Sequence, residues 1–507
     1  MIRARNLVKS FARHPALRGA SFEARAGQVT LLTGPNGAGK TTTMRLLAGL
    51  ARPDAGKAEI SGQPVETQGQ PSRRMFSFLP QSPAFHPGFT CRGILKFYAD
   101  LRGVPRSRID EVISLAGLDA VADKPSGHLS GGMRQRLGLA LLLLPNAPVL
   151  LLDEPGLSLD PEWRNRLQTI LHEKAAEGRT VLITTHLIGE WKGKADRCLL
   201  CEEGLIRNGV DPFGVVGRAD VAPLSAADAK ASPPQPAASF RPGVSPETRR
   251  ASPWRAVFFR EAEAAFKNRF LQVFTLLALA GGLSSVWLSE NLEAMAHFTL
   301  QVCLYSVPLF ALLLGVSSAR MESEEWPVLF SQPVSRSLIF LAKFFAGWIL
   351  FGLFLVFLFL PGWMVGGPFL MTASRWFESA GLASIFLALG LCVGVSAGDR
   401  VRALITGLVA WLVLFLGFDL AVAALANWPV MQRLPGFWAG LLMVNPLDAY
   451  RVQALFSLEQ IPPETAAKTP LAGFWIQHAR ACFFSMAALW TSGLLFLTLR
   501  RVERLEV

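Results

Sequence analysis

Thr33-Gly34-Pro35-Asn36-Gly37-Ala38-Gly39-Lys40-Thr41-Thr42 fits the pattern G-x-x-x-x-G-K-[ST]. It follows the apolar run Val29-Thr30-Leu31-Leu32, which reads as a buried strand. It precedes Thr43-Met44-Arg45-Leu46-Leu47-Ala48-Gly49-Leu50, which reads as a helix. Strand, glycine loop and helix in that order form a phosphate site. The glycines let backbone N–H groups close around phosphate oxygens, and the helix N-terminus adds a favourable dipole. Gly34, Asn36, Gly37, Gly39 and Thr42 belong to this cradle. Lys40 would neutralise the β- and γ-phosphates, and Thr41 would ligate Mg²⁺.

Working outward, the chain divides by composition. It has 507 residues, enough for two or three domains, with 51% hydrophobic and only 17% charged residues. Residues 1–212 alternate β-branched or leucine runs with helical patterns, which predicts a mostly parallel sheet with crossover helices. Residues 213–253 carry Pro234, Pro236, Pro242 and Pro246 among Ala, Ser and Gly, and read as a flexible linker. Residues 254–269 read as an interfacial amphipathic helix, with Trp254, Val257, Phe258, Ala262 and Phe266 on its apolar face. Within 270–507, apolar runs near 270–289, 298–319, 339–363, 378–397, 401–424 and 477–499 are long enough to cross a bilayer. Residues 436–444 are apolar but too short to cross, and suit a re-entrant or interfacial element.

The formal charge of +12 does not indicate nucleic acid, because Lys and Arg flank apolar segments rather than forming one tract. Arg249, Arg250, Arg255 and Arg260 precede the first span. Arg320, Arg336 and Lys343 fall to the second connection, Arg400 and Arg402 to the fourth, and Arg500, Arg501 and Arg504 to the end. The first connection, Glu290 to His297, has no Lys or Arg. The positive-inside rule then places both termini and the nucleotide domain in the cytoplasm, and the 425–476 connection outside. Six cysteines form no disulfide framework. Cys198 and Cys201 read as strand residues facing opposite sides, unsuited to one metal. Met1-Ile2-Arg3-Ala4-Arg5-Asn6 has no apolar core behind it, so no signal peptide is expected.

Two further motifs carry chemistry. Val149-Leu150-Leu151-Leu152-Asp153-Glu154 is a strand ending in two carboxylates. Asp153 would hold Mg²⁺ through water, and Glu154 would orient or deprotonate the attacking water. Leu129-Ser130-Gly131-Gly132-Met133-Arg134-Gln135-Arg136 opens a helix whose N–H groups suit a γ-phosphate. With these motifs in this order the chain resembles the ATP-binding cassette (ABC) transporter family. The resemblance implies an α/β P-loop nucleotide-binding domain followed by an all-α transmembrane domain of six helices. It implies ATP and Mg²⁺ as cofactors.

Ser130, Gly131 and Gly132 correspond to the signature loop, which in the family closes on the ATP of a second copy. A homodimer is therefore implied. Phe11 matches the aromatic that stacks on adenine, and Gln81 the loop glutamine that touches Mg²⁺. His186 matches the switch histidine that senses the γ-phosphate, and Asp160 the loop that crosses the dimer interface. Two positions depart from the pattern. Met133 stands where the signature continues with Gln, and Leu157-Ser158 replace a polar residue and Gly.

Glu322-Ser323-Glu324-Glu325-Trp326-Pro327-Val328-Leu329-Phe330-Ser331-Gln332-Pro333-Val334-Ser335-Arg336 resembles the coupling segment of type-2 ABC permeases. Together with Asn445-Pro446-Leu447-Asp448-Ala449-Tyr450-Arg451 it is also similar to the permease of the nitrous-oxide-reductase maturation (Nos) system. The similarity implies a periplasmic partner protein and a part in copper-enzyme assembly. Nos systems usually keep ATPase and permease on separate chains, whereas this chain reads as a fused half-transporter in the inner membrane, among lipids. Alternatives are an exporter of lipid, polysaccharide or hydrophobic drug, a mechanotransmitter that moves no solute, and a soluble ABC ATPase of translation or repair. Asp419 lies at mid-span depth, and reads either as a cavity-lining group or as half of a structural pair.

Overall fold

The computed structural model describes residues 1–12, 14–65, 70–208, 252–289, 291–320, 323–367, 369–426, 444–457 and 470–506. The expected linker lies almost wholly outside the described residues. So does the short apolar stretch 436–444, apart from Val444. Two compact units emerge. The first gathers Met1–Ala256, Glu324–Arg336 and Leu505–Val507, and the second Val257–Ser323 and Ser337–Arg504.

In the first unit, β1 (Ile2–Phe11), β2 (His14–Ala24), β4 (Ala55–Ile60) and β5 (Gln63–Pro64) form an antiparallel sheet in the order β2-β1-β4-β5. The larger sheet runs β10-β9-β3-β8-β7-β6, from β3 (Val29–Thr33), β6 (Phe76–Leu79), β7 (Val149–Asp153), β8 (Thr180–Thr184), β9 (Arg197–Glu202) and β10 (Leu205–Asn208). Only its β9–β10 pairing is antiparallel; the other pairings are parallel. Every residue of β3, β6, β7 and β8 is buried. Burial on both faces is why these strands read as continuous apolar runs and not as alternating ones. Sheet order departs from chain order at β3, which lies between β9 and β8. β8 lies between β3 and β7, with Thr184 opposite both Leu32 and Asp153.

Around the sheet lie α1 (Lys40–Leu47), α2 (Gln70–Arg74), α3 (Cys91–Arg102), α4 (Ser107–Leu115), α5 (Gly131–Leu143) and α6 (Pro161–Ala176). Their ends are chemically specified. Thr90 caps α3 by accepting from Gly93 N at 3.0 Å, and Gly103 ends it in the left-handed region. Ser130 caps α5 and Asp160 caps α6 in the same way.

The segment 324–336 is part of this unit. Trp326, Val328, Leu329 and Phe330 are buried, with the Trp326 and Phe330 rings stacked 5.6 Å apart. Arg73 Nη1 donates to Val334 O at 2.9 Å and to Gln332 O at 3.3 Å. Arg102 Nε donates to Gln332 Oε1 at 2.7 Å, and Arg336 Nη2 to Gly49 O at 3.1 Å. Burial pulls the Arg73 and Arg102 guanidinium groups down to about 10, with Arg74 adding to the effect on Arg102. Leu505 and Glu506 close the same corner. Arg336 Nη1 donates to Leu505 O at 2.6 Å, and Lys9 Nζ lies 2.7 Å from Glu506 Oε1.

The second unit is helical. It contains most of α7 (Pro253–Phe266), then α8 (Arg269–Leu288), α9 (Leu292–Arg320), α11 (Arg336–Met364), α12 (Phe369–Ser396), α13 (Arg400–Leu412) and α14 (Phe418–Ala426), α10 being Trp326–Phe330 of the first unit. A π-helical turn, Val413–Gly417, joins α13 to α14, and two further helices are α15 (Pro446–Ser457) and α16 (Pro470–Arg504). Among the described residues six helices are long and apolar enough to cross a membrane. α9 and α12 pack backbone to backbone. A Cβ on Gly390 would lie 2.2 Å from Leu312 O, so only glycine permits the approach.

In this unit one sequence expectation changes and one open alternative is resolved. Within the protein, α7 buries Val257, Arg260, Glu261, Ala264 and Ala265. The reason is an ion cluster. Lys343 is not a loop residue but a buried residue of α11, and its Nζ reaches Glu261 Oε2 at 2.6 Å, with Arg260 also bonded to Glu261. Asp419 takes the structural alternative, accepting from Arg451 Nη1 at 2.8 Å. Arg451 also holds Asp448 at 3.1 Å. Asn445 Nδ2 donates to Asp448 and, at 2.9 Å, to Leu414 O beside the π-turn, where the i−4 ladder is interrupted.

Candidate active site

The glycine loop leaves β3 and enters α1 with its lysine turned inward. Lys40 Nζ donates to Gly34 O at 2.9 Å and to Pro35 O at 3.0 Å, bracing the loop in a closed ring. Gly34 has φ +141°, and a Cβ there would sit 2.0 Å from Cys201 O. The loop is also held from β9. Cys201 Sγ donates to Ala38 O at 3.0 Å, and Gly204 N to the same oxygen at 3.2 Å. Burial pushes the Cys201 thiol up to about 11, so it is an inert buttress. Asn36 and Gly37 are exposed at the loop tip, and Thr41 and Thr42 are half-buried at the start of α1.

The sheet order brings the carboxylates to this loop. Thr41 Oγ1 lies 3.4 Å from Asp153 Oδ1, at the end of β7. Thr184, on the intervening strand, donates its hydroxyl to the same Asp153 oxygen at 2.5 Å and accepts from Glu154 N at 3.0 Å. Glu154 N is also within 3.1 Å of Thr184 O. Asp153 is 2% exposed, and burial raises its carboxyl above the ordinary range against the two threonine hydrogen bonds. A divalent cation beside it would restore the ionised form.

Glu154 takes the left-handed conformation, with φ 47°. Such backbone strain clusters at functional positions, and here it turns the carboxylate out of the strand direction. His186 Nδ1 lies 2.8 Å from Glu154 Oε2, so an Nδ1–H there donates to the carboxylate. Glu154 is 9% exposed, while the His186 side chain is 42% exposed. A carboxylate oriented by an imidazole, next to a cation-ready aspartate and a phosphate cradle, can position water for in-line attack on a phosphoryl group.

The structure thus joins Lys40, Thr41, Asp153, Glu154 and His186 into one network. Gly34 is tied to it through Lys40, whereas Phe11, Gln81, Ser130, Gly131, Gly132 and Asp160 lie at its margins, and among the described residues no hydrogen bond ties these six to it. Phe11 is half-exposed at the end of β1, with Lys9 Nζ 5.3 Å from its ring centroid. Gln81 is exposed just beyond β6. That strand begins where Arg102 Nη1 donates to Phe76 O at 3.1 Å, so one short strand links Gln81 to the docked 324–336 segment. Ser130 and Gly131 are exposed at the α5 N-terminus, where Ser130 Oγ accepts from Met133 N at 3.2 Å.

Gln135 Nε2 bridges from α5 to Pro155 O at 3.1 Å, tying the signature helix to the segment after Glu154. Asp160 Oδ1 caps α6 through Trp163 N at 2.8 Å, and Leu157 is exposed beside it. Sequence reasoning passed over Thr184 and the buttressing role of Cys201. The run Thr184-Thr185-His186 shows a hydroxyl at the right distance from the histidine, but only strand order reveals that it faces Asp153.

Residues 17–156 match the family described as ABC transporter. A Nod factor export ATP-binding protein I of Burkholderia orbicola (strain AU 1054) is 39% identical over 204 residues, covering 39% of this chain and 67% of that protein. An uncharacterized ABC transporter ATP-binding protein, YxlF, of Bacillus subtilis (strain 168) is 36% identical over 210 residues, covering 41% and 69%. A solved structure described as an ATP binding subunit of an ABC transporter aligns with TM-score 0.39 and 25% identity, over 41% of this chain and 88% of that one.

Proposed function

Because this chain belongs to the ABC transporter family, whose ATPase domains hydrolyse ATP to power transport, we propose that it is an ATPase fused to its own six-helix permease and that two copies form an exporter. The observation that carries the ATPase half is the bonded series Thr41–Asp153–Thr184–Glu154–His186 beside the Lys40 loop. Thr41, Asp153 and Gln81 would hold Mg²⁺, which would supply charge neutralisation of the phosphates. Lys40 and the loop N–H groups bind the phosphates. Glu154, aimed by His186, takes the proton of the attacking water.

Two copies are favoured because Ser130 and Gly131 present an exposed helix N-terminus that the chain's own network leaves unused. Fusion to a permease is favoured by the six apolar helices in one chain and by the 324–336 segment held on Arg73 and Arg102. Closure of the paired ATPase units would pull on that segment. Export is the direction favoured by relatives named for Nod factor export. The charge pattern supports an inner-membrane protein with the ATPase unit in the cytoplasm. Copper-enzyme maturation rests on two short motifs alone, and both are accounted for by packing within the chain. The first docks on Arg73 and Arg102, and the second staples the π-turn.

The test is the full-length protein in vesicles. Glu154→Gln should retain ATP and release little phosphate, whereas Lys40→Ala should not bind ATP. Undiminished hydrolysis in Glu154→Gln would remove Glu154 from its role, and an absence of paired copies on ATP binding would refute the dimer.

A further inference from the structure

A cavity of about 270 Å³ lies within the helical unit, walled by α9, α11 and α12. Its apolar wall includes Met295, Leu358, Phe359 and Met371, and its polar lining includes Glu293, Thr372 and Arg375. Among the described residues Arg375 makes no hydrogen bond and no ion pair, and its Nη2 is buried without an acceptor. Three other cations of this unit have acid partners. Lys343 pairs with Glu261, Arg451 with Asp419, and Arg480 lies 3.3 Å from Glu378. Glu378 stands one helical turn from Arg375, yet its carboxylate is taken by Ser374 and Arg480. Glu293 and Thr372 also have partners within the protein.

Half-buried at the cavity and without a hydrogen bond or ion pair of its own, this guanidinium has donors available to a ligand, and charges on membrane helices mark ligand or ion paths. Its planar fork of donors fits a carboxylate, sulfate or phosphate. The methionines opposite offer an adaptable apolar surface. We propose that this cavity binds the anionic group of a single-chain amphiphile, with Arg375 as counter-charge and the first part of the chain lying against Met295, Leu358, Phe359 and Met371. The volume corresponds to roughly nine water volumes, enough for a head group and a few methylenes but not for a whole two-chain lipid. The proposal rests on the export reading and names its substrate class. In the orientation given by the positive-inside rule, the cavity opens at the outer end of the spans.

The experiment uses the full-length protein in phosphatidylcholine nanodiscs without nucleotide. Binding of dodecyl phosphate, dodecanol and dodecyltrimethylammonium is measured by native mass spectrometry. Dodecyl phosphate should bind best. Arg375→Gln should weaken it roughly ten- to a hundredfold and leave dodecanol unchanged, with Arg375→Lys in between. Gly362→Leu should abolish binding of both, since a Cβ there already meets Met295 Cε at 3.0 Å. Equal binding by wild type and Arg375→Gln, or equal binding of all three probes, would overturn the proposal. Phosphatidylglycerol that displaces the probe would assign the anion to a bilayer lipid, and failure to displace it to a free amphiphile. ATP hydrolysis and melting temperature of Arg375→Gln report its folding. Probe binding without any ATP-driven export would sink the export reading alone. Export with probe binding indifferent to Arg375 would sink the cavity assignment alone.

Discussion

Thr184→Val removes one hydroxyl from the centre of the active site and little else. The side chain is fully buried in β8, and valine keeps its β-branched shape there. The lost donation to Asp153 Oδ1, at 2.5 Å, is a hydrogen bond to an ionisable carboxylate and contributes about 1.5–3 kcal/mol. The lost acceptance from Glu154 N costs less, about 0.5 kcal/mol, because that N–H retains Thr184 O at 3.1 Å. Together they amount to about 2–3.5 kcal/mol of positioning, equivalent to roughly 30- to 400-fold in rate if all of it is felt in the transition state. Since the threonine hydrogen bond lowers the Asp153 pKa against burial, its removal raises that pKa further. Asp153 then stays protonated to higher pH, so the acid limb of hydrolysis moves upward and more Mg²⁺ is needed. The assay is phosphate release against Mg²⁺ and pH, with ATP binding measured in parallel and expected to persist through Lys40. A turnover number and Mg²⁺ half-saturation within about twofold of wild type would refute the bridging role assigned to Thr184.

Asp153→Asn should raise the melting temperature of the nucleotide-free protein while abolishing Mg²⁺-dependent hydrolysis. A buried carboxyl with a raised pKa holds its proton more tightly folded than unfolded, so it costs stability as pH rises through that window, and the amide does not. A lower melting temperature at neutral pH would contradict this. Glu261→Ala should destabilise the helical unit by about 3–5 kcal/mol, because it takes the buried acid partner from Lys343 and Arg260, and thermal unfolding in nanodiscs reads it. Gly390→Val should cost about 2 kcal/mol or more in the same measurement by forcing α9 from α12, and unchanged unfolding would show the helices separate freely.

Some of this chemistry was legible in residue order alone. His186 is read only through the family resemblance, whereas the glycine loop and Asp153-Glu154 announce themselves because phosphate chemistry needs fixed residue types at fixed local spacing. The six apolar runs do so because a bilayer sets a minimum length. Thr184 was not legible, since its role depends on β8 lying between β3 and β7, a pairing between residues far apart in sequence. The inward charge of α7 was not legible for a related reason. Amphipathic patterning assumes that charge faces outward, whereas Glu261 turns inward to meet Lys343 from another helix.

By itself, then, the sequence determined the nucleotide chemistry and the number of candidate spans, both of which are written in local patterns of residue type and length. Only the tertiary structure decided that Thr184 links the two carboxylates, that Asp419 is held by Arg451, and that Arg375 stands unmatched. Each of those is a statement about which charge or hydroxyl found a partner across the fold, and partnership at a distance is set by packing and not by the chain's own order.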